Sequence, residues 1–439
     1  MRTFFIVWLG QFISQTGGRL SGFALGVWVF QRTGSATLFA LIATFALLPG
    51  VLVGPIAGLV ADKVDRRLVM IVSDSGAALC TLAVAILLAL GRLELWQIYL
   101  TQGLAAAFSA FQAPAFAAAI TQLVPREELG RAAGLNQLAD GLSLVLAAPL
   151  AGLLLGSIGL AGIVAIDLIT FAFAVITLFV VRFPPLPASA EPAASTGAGG
   201  WGPLLHDASA GLRYNLARPG LLGINLVSAA IGLSTGVVSA LLTPMVLTFV
   251  SASAAGAVSG ILGLGSVAGS VLMSIWKGPR RRIFGFLAYG LLHGLFVAAA
   301  GLRSSVALVS GTMFLAFCGV PVASVCSSLI WRTKVPLEMQ GRIFALNRML
   351  VTLALVVGLG LAGPLADSIF EPLMAVGGPL AGSVGQLIGV GSGRGIGLLF
   401  IVTGALVMLA TVAGWLSPRI RKVEEELPDA LPATPGAVA

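Results

Sequence analysis

The sequence predicts an all-α membrane protein with twelve transmembrane helices in two pseudo-symmetric six-helix bundles. Three observations carry that expectation. Of 439 residues, 58% are hydrophobic and 10% charged, with a mean hydropathy of +1.02, whereas soluble domains carry about 25% charged residues. Apolar stretches of about 20 residues, each long enough to cross a ~30 Å hydrocarbon core, recur along the chain. Finally, the chain contains a partial copy of itself 211 positions on.

In that copy, Val124-Pro125-x-Glu127-x-x-Gly130-Arg131-x-x-x-Leu135-Asn136 returns as Val335-Pro336-x-Glu338-x-x-Gly341-Arg342-x-x-x-Leu346-Asn347. The same offset maps Gly54, Ala57 and Gly58 onto Gly265, Ala268 and Gly269, and Leu150-Ala151-Gly152 onto Leu361-Ala362-Gly363. The period is too long for a solenoid. Direct repetition of a large membrane half is the signature of transporters that rock two similar bundles about a central site.

The first span, 4–30, follows Met1-Arg2-Thr3 in the manner of a signal peptide. Gln11, Gln15 and Arg19 interrupt it and no small-x-small cleavage site follows, so it reads as an uncleaved helix. Spans at 36–60, 68–90, 96–120, 132–156 and 159–181 complete an N-terminal bundle, 1–182. Residues 183–218 read as a cytoplasmic linker. Its first part is Pro/Ala/Ser/Gly-rich and cannot bury a core, and Leu204 to Ala217 is an amphipathic, surface-lying stretch. Pro219 then opens a C-terminal bundle, 219–417, with spans at 219–248, 254–276, 283–302, 307–331, 343–368 and 395–416. The Gly-rich segment 370–394 belongs outside, and the polar tail 418–439 is expected to be disordered.

Net charge is +8, but its distribution argues against a nucleic-acid partner. With loops assigned alternately, one side holds nearly all cations, among them Lys63, Arg66, Arg67, Arg131, Arg218, Arg280, Arg281, Arg282 and Arg342. The other holds only Arg32, Arg92, Arg303 and Arg394. This bias places both termini in the cytoplasm and implies an even number of spans. A nucleic-acid patch would need one contiguous basic face. Cys80, Cys318 and Cys326 fall inside spans without metal or redox spacing, and read as packing residues. No metal site is expected. The many Gly-x-x-x-Gly spacings, among 56 glycines, do not support a dimer, so a monomer in the bilayer is expected.

The loop after helix two reads Gly58-Leu59-Val60-Ala61-Asp62-Lys63-Val64-Asp65-Arg66-Arg67. It resembles the loop 2–3 signature of the major facilitator superfamily, Gly-x-Leu-Ala-Asp-Arg-x-Gly-Arg-Lys/Arg. Asp65 replaces the usual second Gly, as in the branch that exports macrolides and siderophores such as enterobactin. Helix five carries Ala148-Pro149-Leu150-Ala151-Gly152, similar to the Gly-Pro-x-x-Gly antiporter motif with Ala in the first place. Thr33-Gly34-Ser35, Gly211-Leu212-Arg213-Tyr214 and Gly393-Arg394-Gly395 also match that branch, so the resemblance spans essentially the whole chain. It implies the major facilitator fold and a conformational latch at Gly58, Asp62, Arg66 and Arg67. In that latch Asp62 would dock on the N-terminus of helix eleven, where the helix dipole favours an anion. The plainer reading is a solvated cluster that fixes topology. Pro149 and Gly152 would bend helix five and admit a close neighbour.

Ionisable groups within a span cost several kcal/mol unless paired or hydrated, so each is a functional candidate. Gln11, Gln15 and Arg19 share a face of helix one, and the resemblance implies that helices one, four, seven and ten line a cavity. Asp140 in helix five and Asp167 in helix six, with Arg19, are candidates for proton coupling, because desolvation favours the neutral form of a carboxylate. Pairing of either acid with Arg19 or Arg348 is the alternative. Asp74, near the cytoplasmic end of helix three, reads as structural. Further cavity candidates are Gln102, Phe108, Phe111 and Gln112, then Asn225 and Ser228, then Phe317, Ser324 and Ser328. Rings with scattered neutral hydrogen-bonding groups suit a bulky amphipathic solute; plain packing is the competing role for each.

An enzyme is not expected. Gly232-Leu233-Ser234-Thr235-Gly236 matches Gly-x-Ser-x-Gly and His293 is a lone intramembrane histidine, so a hydrolase would need that pair in contact. The nucleophile motif, however, requires a strand–turn–helix elbow. No phosphate-binding loop is present, so a self-contained ATP pump is excluded. The expected function is secondary, proton-driven efflux of a drug-, macrolide- or siderophore-like molecule at the inner (plasma) membrane. No cofactor is required beyond the proton gradient. The alternatives are an importer or lipid flippase of the same fold, a transporter-like sensor, or the hydrolase.

Overall fold

The computed structural model describes residues 2–181, 213–276, 278–427 and 429; at Arg2, Pro55, Leu59, Asp62, Lys63, Arg126, Leu337 and Glu338 it describes the backbone alone. The expected linker up to 212, with its Gly211-Leu212, lies outside the described residues. Twelve long helices account for most of what is described: α1 (Arg2–Thr33), α2 (Ala36–Lys63), α3 (Arg66–Ala89), α4 (Leu95–Leu123), α5 (Leu129–Ser157), α6 (Gly159–Val180), α7 (Pro219–Leu247), α8 (Ala252–Trp276), α9 (Arg282–Gly301), α10 (Val306–Lys334), α11 (Leu337–Leu365) and α12 (Arg394–Leu416). Among the described residues, eleven helices are long and apolar enough to cross a membrane. The exception, α1, has ample length, but Gln11, Gln15 and Arg19 dilute its apolar character. The chain is a multi-pass membrane protein.

Helix boundaries follow local chemistry. Ser35 caps α2, its Oγ accepting from Leu38 N, and the turn before it needs Gly34 at φ +66°. Asp65, the departure from the superfamily signature, caps α3 by accepting from Arg67 N and Leu68 N. Proline sits inside α2, α4, α5, α7, α10 and α11. After α11 the backbone widens into a π-helical turn, Ala366–Phe370, a form frequent at functional sites.

By contacts the chain forms two compact units. One holds α1–α6 with α7 from Ala240, α8 as far as Gly263, and the end of α11 from Leu359. The other holds the rest of α7, α8 and α11, with α9, α10 and α12. These units cut across three helices rather than following the two sequence halves, because glycines at the crossings let segments of α8 and α11 press onto α5 and α2. A Cβ on Gly152 would lie 2.6 Å from the Ala252 carbonyl oxygen, and one on Gly363 would overlap the Thr37 backbone.

The first ten residues of the tail, 418–427, depart from its expected disorder. Residues Pro418–Arg421 and Val423–Glu426 form helical turns that bury Val423. The first turn of α9 has no side-chain cap of its own. Glu424 supplies one, its carboxylate accepting from Arg282 N and Ile283 N at 3.1 Å each. Lys334 Nζ donates to the Leu427 carbonyl (2.6 Å) and pairs with Asp429 (2.8 Å), and Arg281 pairs with Glu425 (3.2 Å).

Candidate functional site

The polar stripe of α1 becomes a set of partly buried contacts to its neighbours. Trp8 Nε1 donates to the Leu135 carbonyl of α5 at 3.2 Å, anchoring the stripe one turn before Gln11. Gln11 Nε2 donates to Asp74 Oδ2 of α3 at 2.8 Å, and Gln112 Nε2 of α4 donates both to Gln11 Oε1 and to Asp74 Oδ2. One turn on, Gln15 Nε2 donates to Asp140 Oδ1 of α5 at 2.7 Å. Thr16 and Ser143 share a hydrogen bond of 2.8 Å across the same crossing. Arg19 interacts electrostatically with Asp140. Gln11, Gln15 and Gln112 thus meet carboxylates; Gln102 of α4 is half-buried.

Asp167 sits deeper, at 2% exposure. Its Oδ2 accepts from Thr81 Oγ1 of α3 at 3.2 Å, and α1 passes it closely because residue 17 is glycine; a Cβ there would lie 3.0 Å from Asp167 Oδ1. No described ion pair includes it; of the two acids offered as partners for Arg19, it is Asp140 that interacts with that arginine.

The aromatic candidates fare differently. Phe108 fills the space beside Gly76 of α3, where a Cβ would lie 2.6 Å from its ring, and Phe111 packs on the core formed by Phe4, Met70, Phe116 and Leu178. Both are helix-packing residues in this structure. In the other unit, Asn225 is buried with an unpartnered Nδ2, Ser228 and Phe317 are half-buried, and Ser324 is exposed.

At the loop between α2 and α3, the Arg66 guanidinium donates to the Ala118 carbonyl (2.8 Å). Arg67 donates to the Leu178 (2.8 Å) and Phe179 (3.0 Å) carbonyls. Arg67 thus caps open carbonyls at the end of α6, whereas Arg66 bonds a carbonyl within α4. The side chain of Asp62 lies outside the described residues. The signature's Gly58 has no close neighbour among the described residues, since a Cβ there meets nothing within 4 Å. Pro149 and Gly152 do have one: the Ala148-Pro149-x-x-Gly152 face of α5 seats on Gly256 and Gly260 of α8.

At the opposite ends of these helices lies a contact that sequence reasoning missed. Asp367, in the π-helical turn after α11, accepts from Ser35 Oγ (2.6 Å), Ala36 N (3.1 Å) and Thr37 N (2.9 Å). A carboxylate thus closes the N-terminus of α2, whose free amides and dipole favour it. Ser35 is visible in sequence as a cap, but nothing there pairs it with a residue 332 positions away.

Ser234 and His293 are in contact, as a hydrolase would require, with Oγ and Nε2 3.3 Å apart. His293 Nδ1 faces Tyr289 Oη at 3.1 Å, and Ser234 and His293 are fully buried. Residues 232–236 are helical, so the elbow is missing, and a tyrosine stands where an orienting acid would be. The trio is a satisfied hydrogen-bond chain between α7 and α9.

A family model described as Major Facilitator Superfamily matches residues 7–359. Macrolide efflux protein A of Streptococcus pyogenes is 25% identical over 378 residues, 83% of this chain and 90% of that protein. The uncharacterized MFS-type transporter YfiS of Bacillus subtilis is 28% identical over 373 residues, 82% and 85%. Among solved structures, the nucleoside transporter NupG aligns with a TM-score of 0.71 at 13% identity, covering 95% of this chain and all of that one. A bacterial homologue of the iron transporter ferroportin, in an inward-facing state, aligns at 0.68 and 15%, covering 94% and 98%. These structural likenesses concern the fold.

Proposed function

This chain belongs to the major facilitator superfamily, a family of transporters, and on that footing we propose that it exports a hydrophobic or amphipathic small molecule, of macrolide or siderophore type, driven by protons. The observation that carries the coupling is the α1 stripe, where Gln11 and Gln15 each hold a carboxylate from a neighbouring helix. Carboxylates inside a span are retained where protons or ions must bind. Asp140, held by Gln15 and within the field of Arg19, and Asp167 are the coupling groups of this reading. Substrate class rests on the relatives named as macrolide efflux proteins and on the apolar character of the chain.

The chain works by alternating access as a monomer in the inner membrane, with both termini cytoplasmic on the positive-inside bias. Asp62 latches one state. The test is retention of a radiolabelled macrolide by a sensitive bacterium expressing the chain. Lower retention that a protonophore restores is expected; equal retention with and without the chain removes the macrolide assignment.

A further inference from the structure

Asp74 looks structural in sequence, near one end of α3. Its surroundings say otherwise. It is 5% exposed, and its Oδ2 accepts from Gln11 Nε2 and Gln112 Nε2, so one carboxylate oxygen joins α1, α3 and α4. Gln112 Oε1 is a buried acceptor with no partner. Gln11 and Gln112 are themselves half-buried and so link the acid to accessible space.

We propose that Asp74 is a proton-binding residue of the transport cycle, and that Gln11 and Gln112 convert its protonation into a change of the α1–α4 contact. This rests on the proton-coupled reading above. As a carboxylate, Asp74 only accepts, and both amides turn their N–H groups to it. When a proton from water forms an O–H on Asp74, that group becomes a donor. The acceptor in the cluster that lacks one is Gln112 Oε1. The Gln112 amide rotates to receive it and gives up its N–H contacts to Asp74 and Gln11. Loss of the proton to water reverses each step.

Among the described residues, no ion pair includes the acid. From α1 and α4 it meets neutral amides. On α6 the charged group is Asp167, bonded to Thr81, seven residues and about 10 Å along α3. Arg66 and Arg67, at the start of α3, are engaged by backbone carbonyls. Arg19 lies two turns beyond Gln11, towards Asp140. A bare charge at such a site costs several kcal/mol, and one proton removes it.

The test is infrared difference spectroscopy of the purified full chain in detergent, titrated from neutral to acid pH. The wild type should show a protonated-carboxyl band growing on acidification. Asp74→Asn should lose one component of that band, Asp140→Asn should keep that component, and Gln112→Leu should move its midpoint. A band unchanged in Asp74→Asn, or absent from the wild type, overturns the proposal. If Asp74→Asn does not fold, Asp74→Glu should shift the band's frequency, and an unshifted band is equally fatal.

A second arm uses proteoliposomes and a fluorescent lipophilic cation. Asp74→Asn should keep counterflow exchange while losing gradient-driven transport by roughly tenfold; full gradient drive in that variant overturns the proposal. A wild type indifferent to the gradient would instead defeat the proton-coupled reading, while the infrared band still decides whether Asp74 takes up a proton.

Discussion

Gly269 of α8 and Gly58 of α2 are repeat mates, yet a Cβ on Gly269 would overlap the Cys318 carbonyl of α10, whereas one on Gly58 meets nothing within 4 Å. Gly265 and Gly54 repeat the contrast, the first pressed on Phe314 and the second free. α2 instead packs on α4 through its first half, with Phe45 and Pro49 against Gly103. The repeat mates Gly152 and Gly363 behave alike, each against the first turn of a helix from the other sequence half. A repeat therefore specifies where helices can approach closely, and the surrounding arrangement decides which approaches are made. A helix glycine in open space costs about 1 kcal/mol relative to alanine and returns no packing. We expect Gly54 and Gly58 to be used in another arrangement of the cycle.

Substitutions sharpen that contrast. Gly269→Ala forces a methyl onto backbone and should destabilise the chain by ~1–3 kcal/mol, seen as a lower midpoint of thermal unfolding in detergent. Asp367→Ala strips the carboxylate from the α2 N-terminus, and should cost ~0.5–2 kcal/mol in the same assay. The repeat mate of Asp367 is Gly156, so the corresponding end of α8 has no such acid to lose. Gly58→Ala should be neutral or stabilise by ~0.5–1 kcal/mol while slowing transport if α2 must close on a neighbour. A loss of stability there equal to that of Gly269→Ala would break the comparison. Asp62→Asn should leave unfolding unchanged and slow efflux; wild-type efflux in that variant would remove the latch role.

Much of the fold was legible because lipid imposes a simple rule, that a span needs length and apolar character. Helix starts held or moved outward from the expected spans: α11 starts at Leu337 rather than 343, since Pro336 opens the helix before it enters the apolar stretch. The site was legible in part. Periodicity put Gln11 and Gln15 on one face, but their partners Asp74 and Asp140 lie 63 and 125 positions away. Phe108 and Phe111 show the limit of composition, since an aromatic ring suits a core and a cavity wall equally until its neighbours are known. The start of the tail, 418–427, is ordered where polarity implied disorder, because Val423 and Glu424 each find a specific place that no local pattern reveals.

The most direct test of proton-driven export is transport of a panel of fluorescent lipophilic compounds by the wild-type chain in proteoliposomes, with and without an imposed pH gradient. Gradient-dependent movement of at least one compound against its own concentration gradient is the predicted result. Movement of the same compound at one rate with or without the pH gradient would contradict it.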